Sequence, residues 1–379
     1  RDVERSRGLG DVYKRQVLCN PDGTQQVIYD ERSPKYVDHL NKTFYFLEDG
    51  RRFIVREETS TGYMHLYLYG IGQGVLHPIT QGEWEVTDFV GLRGDKVYYI
   101  STESSPLKRD LYRVGLDGKH KERLTPGDGY YSIYPSADLS YYICEGGDSS
   151  APGRTDVFNA AGKRVRTLYD NAPLKEALAE AGLPVREFFT FTTERGDELN
   201  GYMLKPLDFD PAKRYPVLLT QYSGPGSQQV AEGWGPDWED ALVTHGYIVV
   251  CVDPRGTGYR GEEFKKLTYG NLGRLEVEDQ ISTARYMARQ SYVDPARIGI
   301  YGWSYGGFMA LGCAFRGEGL FKMAIAVAPV TSWRYYDSIY TENFNGLPDD
   351  YPKGYDDNSP VNLAHLFRDD STRLLIVHG

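Results

Sequence analysis

A chain of 379 residues is too long for one small domain and long enough for two units with sizeable cores. Its 40% hydrophobic and 25% charged residues read as soluble and globular, and no apolar run approaches the ~20 residues needed to span a membrane. The net charge of −10 disfavours a nucleic-acid partner, because affinity for phosphate backbones comes from clustered Lys and Arg.

Residues 1–16 hold five basic and three acidic side chains and no apolar core, so they cannot be a secretory signal and read as non-native or disordered. Residues 17–172 are rich in Tyr, Val, Phe and Thr between Gly, Asp and Pro turns, the texture of many short antiparallel strands. A repeat runs through them. Leu66-Tyr67-Leu68 returns 45 residues later as Leu111-Tyr112-Arg113, and Ile79-Thr80-Gln81-Gly82 returns at the same offset as Leu124-Thr125-Pro126-Gly127. A looser third copy has Tyr141-Tyr142-Ile143 echoing Tyr98-Tyr99-Ile100 and Asp156-Val157-Phe158 echoing Asp110-Leu111-Tyr112. A period near 45 with about four strand-like runs per unit predicts the C-terminal blades of a β-propeller. About three blades are visible where a propeller needs at least about four, so the domain is expected to be cut on its N-terminal side. A β-sandwich with accidental similarity is the competing reading.

From residue 173 to 379 the texture changes. Residues 174–181 have helical character and 187–206 alternate as strands. Short apolar runs at 217–221, 247–252, 298–301, 323–328 and 374–377 then alternate with helical stretches such as 235–244 and 277–289. This order predicts a mostly parallel sheet with helices on both faces, whose ligands sit beyond the carboxyl ends of the strands.

Gly302-Trp303-Ser304-Tyr305-Gly306-Gly307 lies between the run Ile298-Gly299-Ile300-Tyr301 and the helix-like Phe308-Met309-Ala310-Leu311. A serine on a sharp strand-to-helix turn adopts a strained backbone, and glycines must flank it where a Cβ would strike the neighbouring strand and helix. Such a turn exposes the Ser304 hydroxyl and aims the Tyr305 backbone N–H at the place where an oxyanion would form, which points to acyl transfer. Gly-x-Ser-x-Gly alone is a weak signal in a chain with 42 glycines; the strand-end setting gives it weight. The four cysteines, Cys19, Cys144, Cys251 and Cys313, show no metal-type spacing, and Cys251 and Cys313 read as buried thiols. No metal or cofactor is implied.

With the elbow stand four further segments: residues 221–228 (QYSGPGSQ), 253–258 (DPRGTG), 276–280 (EVEDQ) and 328–342 (APVTSWRYYDSIYTE). Together they resemble the prolyl oligopeptidase family of serine peptidases over nearly everything after residue 17. The resemblance implies an α/β hydrolase preceded by an incomplete all-β propeller. It makes Ser304 the nucleophile, with the Tyr222 hydroxyl and the Tyr305 N–H holding the oxyanion. Val330, Trp333, Tyr336 and Tyr340, with the Tyr305 ring, would form a small aromatic pocket suited to a proline ring; the spacing of four places Tyr336 and Tyr340 on one helical face. The plain alternatives are a strand-end tyrosine packing on the sheet and an aromatic core stripe. Residues 253–258 read as a structural turn, and Glu276, Glu278 and Asp279 as a solvated or helix-start acidic cluster.

The implied activity is a serine exopeptidase that releases N-terminal dipeptides after a penultimate Pro or Ala through an acyl-enzyme on Ser304, from a secreted or periplasmic protein that could form a homodimer. Acylaminoacyl, tripeptidyl or prolyl endopeptidases of the same family, and a non-catalytic binding protein, are the alternatives. A serine needs a histidine base and an orienting carboxylate, which in hydrolase order follow it. Only His365 and His378 do. A triad of Asp369 or Asp370 with His378 is rejected, because 374–377 reads as a strand and the family's Asp comes after the His-Gly that ends it. That dipeptide is His378-Gly379, so base and acid are expected beyond Gly379 and the chain alone is expected to be inactive. The family's amine-binding glutamates find no match. Glu57-Glu58 reads as the end of a blade strand.

Overall fold

A computed structural model describes residues 12–38 and 43–379, which divide into two compact units. Among the described residues, the first comprises 12–38 and 43–176, with Ala231–Gly235 and Tyr259–Glu263. It holds an antiparallel hairpin, Tyr13–Cys19 with Gln25–Arg32, and three four-stranded antiparallel sheets. These sheets are Phe44–Phe46, Arg52–Glu57, His65–Gly70, Gly74–Pro78; then Val86–Arg93, Lys96–Ser101, Asp110–Gly115, Glu122–Arg123; then Tyr130–Pro135, Tyr141–Gly147, Arg154–Asn159, Arg164–Tyr169. The repeat falls into register with them, since Leu66, Leu111 and Val157 all lie on third strands. Successive sheets share cores: Ile54, Leu66 and Leu68 pack with Val86, Val97 and Tyr112, and Tyr98 and Leu111 pack with Tyr142 and Phe158. Sheets stacked face to face in sequence order are propeller blades, and the sandwich alternative falls. The break expected at residue 17 falls inside the first strand, so residues 13–16 are a paired part of the fold; residues 1–11 lie outside the described residues. Glu57 ends its strand, as expected, and is buried accepting hydrogen bonds from the Tyr29 (2.8 Å) and Tyr69 (3.2 Å) hydroxyls.

The second unit comprises Ala177–Val230, Pro236–Gly258 and Phe264–Gly379. Its sheet has seven strands: β1 (Glu187–Thr192), β2 (Glu198–Leu204), β3 (Tyr215–Thr220), β4 (Ile248–Asp253), β5 (Val293–Trp303), β6 (Met323–Val327) and β7 (Arg373–Val377). They lie in the order β1-β2-β4-β3-β5-β6-β7, with β4, β3, β5, β6 and β7 parallel and β1 and β2 antiparallel at one edge. Side chains alternate between faces along a strand. Val217, Leu219, Val250, Ile298 and Ile300 pack on one face with Val277 and Ile281 of α2 (Leu275–Ala288) and with Phe308 and Leu311 of α3 (Tyr305–Arg316). On the other face, Thr220 donates to Glu239 (2.7 Å) and the Tyr301 ring meets Trp238 (4.8 Å between centroids), both from α1 (Trp238–Thr244). Helices therefore cover both faces. The sheet is an α/β-hydrolase sheet, and the sequential apolar runs are its strands.

Candidate active site

Ser304 joins β5 to α3 as the N-cap of the helix, with φ 59° and ψ −116°. That region is strained for a residue carrying a Cβ, and the surroundings hold it there. The Ser304 N–H donates to the Val327 carbonyl on β6 (2.9 Å), and its carbonyl accepts from Phe308 (3.0 Å). The flanking glycines are sterically required. A Cβ on Gly302 would collide with the Gly306 carbonyl, one on Gly306 with the Gln221 carbonyl, and one on Gly307 would stand 2.6 Å from the Val327 oxygen. Tyr305 occupies the first helical position, where an N–H has no partner within the helix.

Tyr222 follows β3, the strand beside β5, so both residues emerge at the carboxyl edge of the sheet. Its ring lies 6.0 Å from that of Tyr305. Burial raises the Tyr222 pKa, nearby Tyr336 adds to this, and a hydrogen bond with Ser304 acts in the opposite direction. The Tyr222 and Ser304 hydroxyls are therefore neighbours. A buried amide network holds the Tyr222 segment against the elbow. Gln221 Nε2 donates to the Gly306 carbonyl (2.9 Å) and Ser223 Oγ to Gln221 Oε1 (2.9 Å), while Gln280 Nε2 donates to Ser223 Oγ (3.3 Å) and the Val252 carbonyl (3.0 Å). Asp253, at the end of β4, fastens the far side of the same loop by accepting the N–H groups of Gln229 (3.0 Å) and Val230 (2.9 Å).

The expected pocket residues also come together. Trp333 lies centrally, 1% exposed, with ring centroids 5.5 Å from Tyr305, 6.0 Å from Tyr336 and 6.1 Å from Tyr340, the last stacked at 15°. Tyr336 and Tyr340 meet edge to face at 5.5 Å, and Val330 and Tyr340 pack against the sheet core. One expectation needs correcting. Only Tyr340 is helical, in α4 (Ser338–Asn345); Tyr336 precedes the helix in extended backbone, because Asp337 caps α4 by accepting the Tyr340 N–H (2.8 Å). The rings converge through a cap and not through one helical face.

The second unit matches the profile described as Prolyl oligopeptidase family over residues 234–379, and residues 13–152 match the Dipeptidyl peptidase IV (DPP IV) N-terminal region. The chain belongs to the prolyl oligopeptidase family. It is 40% identical over 328 residues to dipeptidyl-aminopeptidase B of Aspergillus niger, an alignment covering 84% of this chain and 36% of that protein. The crystal structure of Porphyromonas gingivalis dipeptidyl peptidase 4 superposes with a TM-score of 0.91 at 39% identity, over 97% of this chain and 52% of that one. The chain thus spans about a third of its curated relatives and about half of that solved structure.

One reading of this family member's polar residues changes. The cluster at the start of α2 is not solvated: Glu276 and Asp279 are 0% exposed, and only Glu278 is half-buried. Asp279 accepts from Arg255 (Nη2 to Oδ1, 2.7 Å; backbone N, 2.8 Å), which makes residues 253–258 the structural turn expected. Glu276, Gln280 and Thr283 were missed as inward-facing, although their spacing of three to four along a helix is that of a single stripe. Cys251 and Cys313 are buried, and desolvation lifts both thiols well above their ordinary value, which keeps them unreactive.

Proposed function

We propose that the parent protein is a serine dipeptidyl peptidase that cleaves after a penultimate proline or alanine. The observation that carries this reading is the convergence of the strained Ser304, the Tyr222 hydroxyl and the Tyr305 N–H beside the aromatic cluster of Trp333, Tyr336 and Tyr340. Ser304 Oγ attacks the carbonyl of the penultimate residue. The developing oxyanion is held by Tyr222 O–H and Tyr305 N–H, each donor worth about 3 kcal/mol in the transition state. The amine leaves, an ester to the dipeptide remains on Ser304, and water releases it. The names of the relatives support the dipeptidyl outcome over the other peptidases of the family.

The general base and its orienting acid are proposed to lie past Gly379. Of the two histidines after Ser304, His365 sits in the turn Ala364–Leu366, and the His378 ring bonds its neighbour, the Gly379 carbonyl (2.8 Å). A secreted or periplasmic homodimer remains the expectation from resemblance. No helix among the described residues is long and apolar enough to cross a membrane. The test is Ser304→Ala in the full-length enzyme, assayed on a Gly-Pro chromogenic amide. Turnover is expected to vanish; retained hydrolysis would remove Ser304 from the nucleophile role.

A further inference from the structure

Tyr305 is in contact with most of the proposed site. Its ring is 2% exposed and packs on Phe308 (5.2 Å between centroids), Trp333 (5.5 Å) and Tyr222 (6.0 Å), and its backbone N–H opens α3. The ring has one polar atom, and that atom is tied: the Tyr305 hydroxyl donates to Glu276 Oε1 at 2.7 Å. Glu276 stands in the first turn of α2 and is wholly buried. The Gly273 N–H lies 3.1 and 3.0 Å from its two oxygens. Gly273 has φ +83°, and a Cβ there would run into the Phe308 ring, which also packs on Trp333 (5.1 Å). Carboxyl, glycine and three rings are thus wedged as one set.

A buried carboxyl is a costly way to fill an apolar space, and a hydrophobic side chain of similar volume generally does it as well or better. What the carboxyl adds is direction. A ring held only by packing can tilt, whereas a ring whose hydroxyl is bonded to an acceptor on a second helix is fixed at both ends. Burial also raises the Glu276 pKa to about 7, so the group is held mainly by its hydrogen bonds and not by a counter-charge.

We propose that Glu276 is a positioning residue for the pocket: through the Tyr305 hydroxyl it fixes the ring beside the nucleophile and so sets the preference for a proline ring over an alanine methyl. The inference rests on the reading of this site as a post-proline peptidase site. A fixed wall rewards a ligand that fills the pocket and matters little for one that does not.

The test uses the full-length enzyme with Glu276→Gln, Tyr305→Phe and both together, measuring kcat and KM on Gly-Pro and Gly-Ala chromogenic amides alongside thermal midpoints. Each single variant is expected to raise KM for the Gly-Pro amide and to lower the Pro-to-Ala preference by on the order of tenfold, the scale of one pocket contact. In each, kcat should change less than KM, and the double variant should be no worse than either single one. An unchanged preference, whatever the thermal midpoint does, makes Glu276 merely structural and overturns the proposal, as do additive losses. If Glu276→Gln does not fold, Tyr305→Phe decides by the same ratio. A wild-type enzyme inactive on both amides is a different result: it sinks the peptidase reading itself, and this inference with it.

Discussion

Ser304 is held at its positive φ by backbone hydrogen bonds to Val327 and Phe308, and the glycines beside it face mainly backbone atoms. Gly302 and Gly306 face the carbonyl oxygens of Gly306 and Gln221, neither of which can move without shifting a strand end or the helix start. Gly306→Ala is therefore expected to cost about 3 kcal/mol by overpacking. Gly235→Ala, whose added Cβ meets nothing, should change stability by less than about 0.5 kcal/mol. Urea denaturation of the two variants checks this, and equal midpoints would refute it. The residues that answer the steric demand at Ser304 are consecutive, which is why the elbow was legible from six residues, although the carbonyls of Gln221 and Val327 that impose part of it are distant in sequence. The Gln221-Ser223-Gln280 network was not, because its members meet only after β3 and α2 have docked. Tyr222 lay between the two cases: its motif was visible, but its closeness to Ser304 depends on β3 and β5 being neighbours.

Helix α2 shows the same division at the scale of an element. Its length and apolar spacing were readable, and acidic residues in a first turn are what a helix dipole favours. A solvated cluster is the ordinary result of that pattern; here the turn is buried between the sheet and α3. For Glu276, desolvation is the main cause of a pKa raised from 4.5 to about 7; Asp279 raises it further, while bonds from Tyr305 and Gly273 act to lower it. A carboxyl whose folded pKa lies above its unfolded value holds its proton more tightly when folded. Its contribution to stability is therefore full below about pH 4.5 and is lost as the pH rises towards about 7. Glu276→Gln lacks this titration. The urea midpoint of the variant relative to wild type should rise between pH 5 and pH 8, and a constant difference would show that Glu276 does not titrate in that range. The pocket tyrosines add a second case. A spacing of four suggested one helical face, and the Asp337 cap starts the helix between them.

Across the whole molecule, Ser304, Tyr222, Tyr305 and the aromatic cluster around Trp333 lie within one unit, and the blades form the other. If base and acid lie past Gly379, the 379-residue chain alone should hydrolyse the Gly-Pro amide at less than about a thousandth of the full-length rate, as triad losses do. Comparable rates would instead place a working base within the chain. The sequence by itself determined the two units, the blade period, the order of strands and helices and the place of Ser304 on a strand-to-helix turn. These follow from local periodicity and from steric rules that act over a few residues. Only the tertiary structure decided that Glu276 and Asp279 are buried, that Gln280 braces the Tyr222 loop, and that Tyr305 is anchored by its hydroxyl. Burial and long-range hydrogen bonds depend on which elements pack together, and the elbow's surroundings are set by contacts spanning from Gln221 to Trp333.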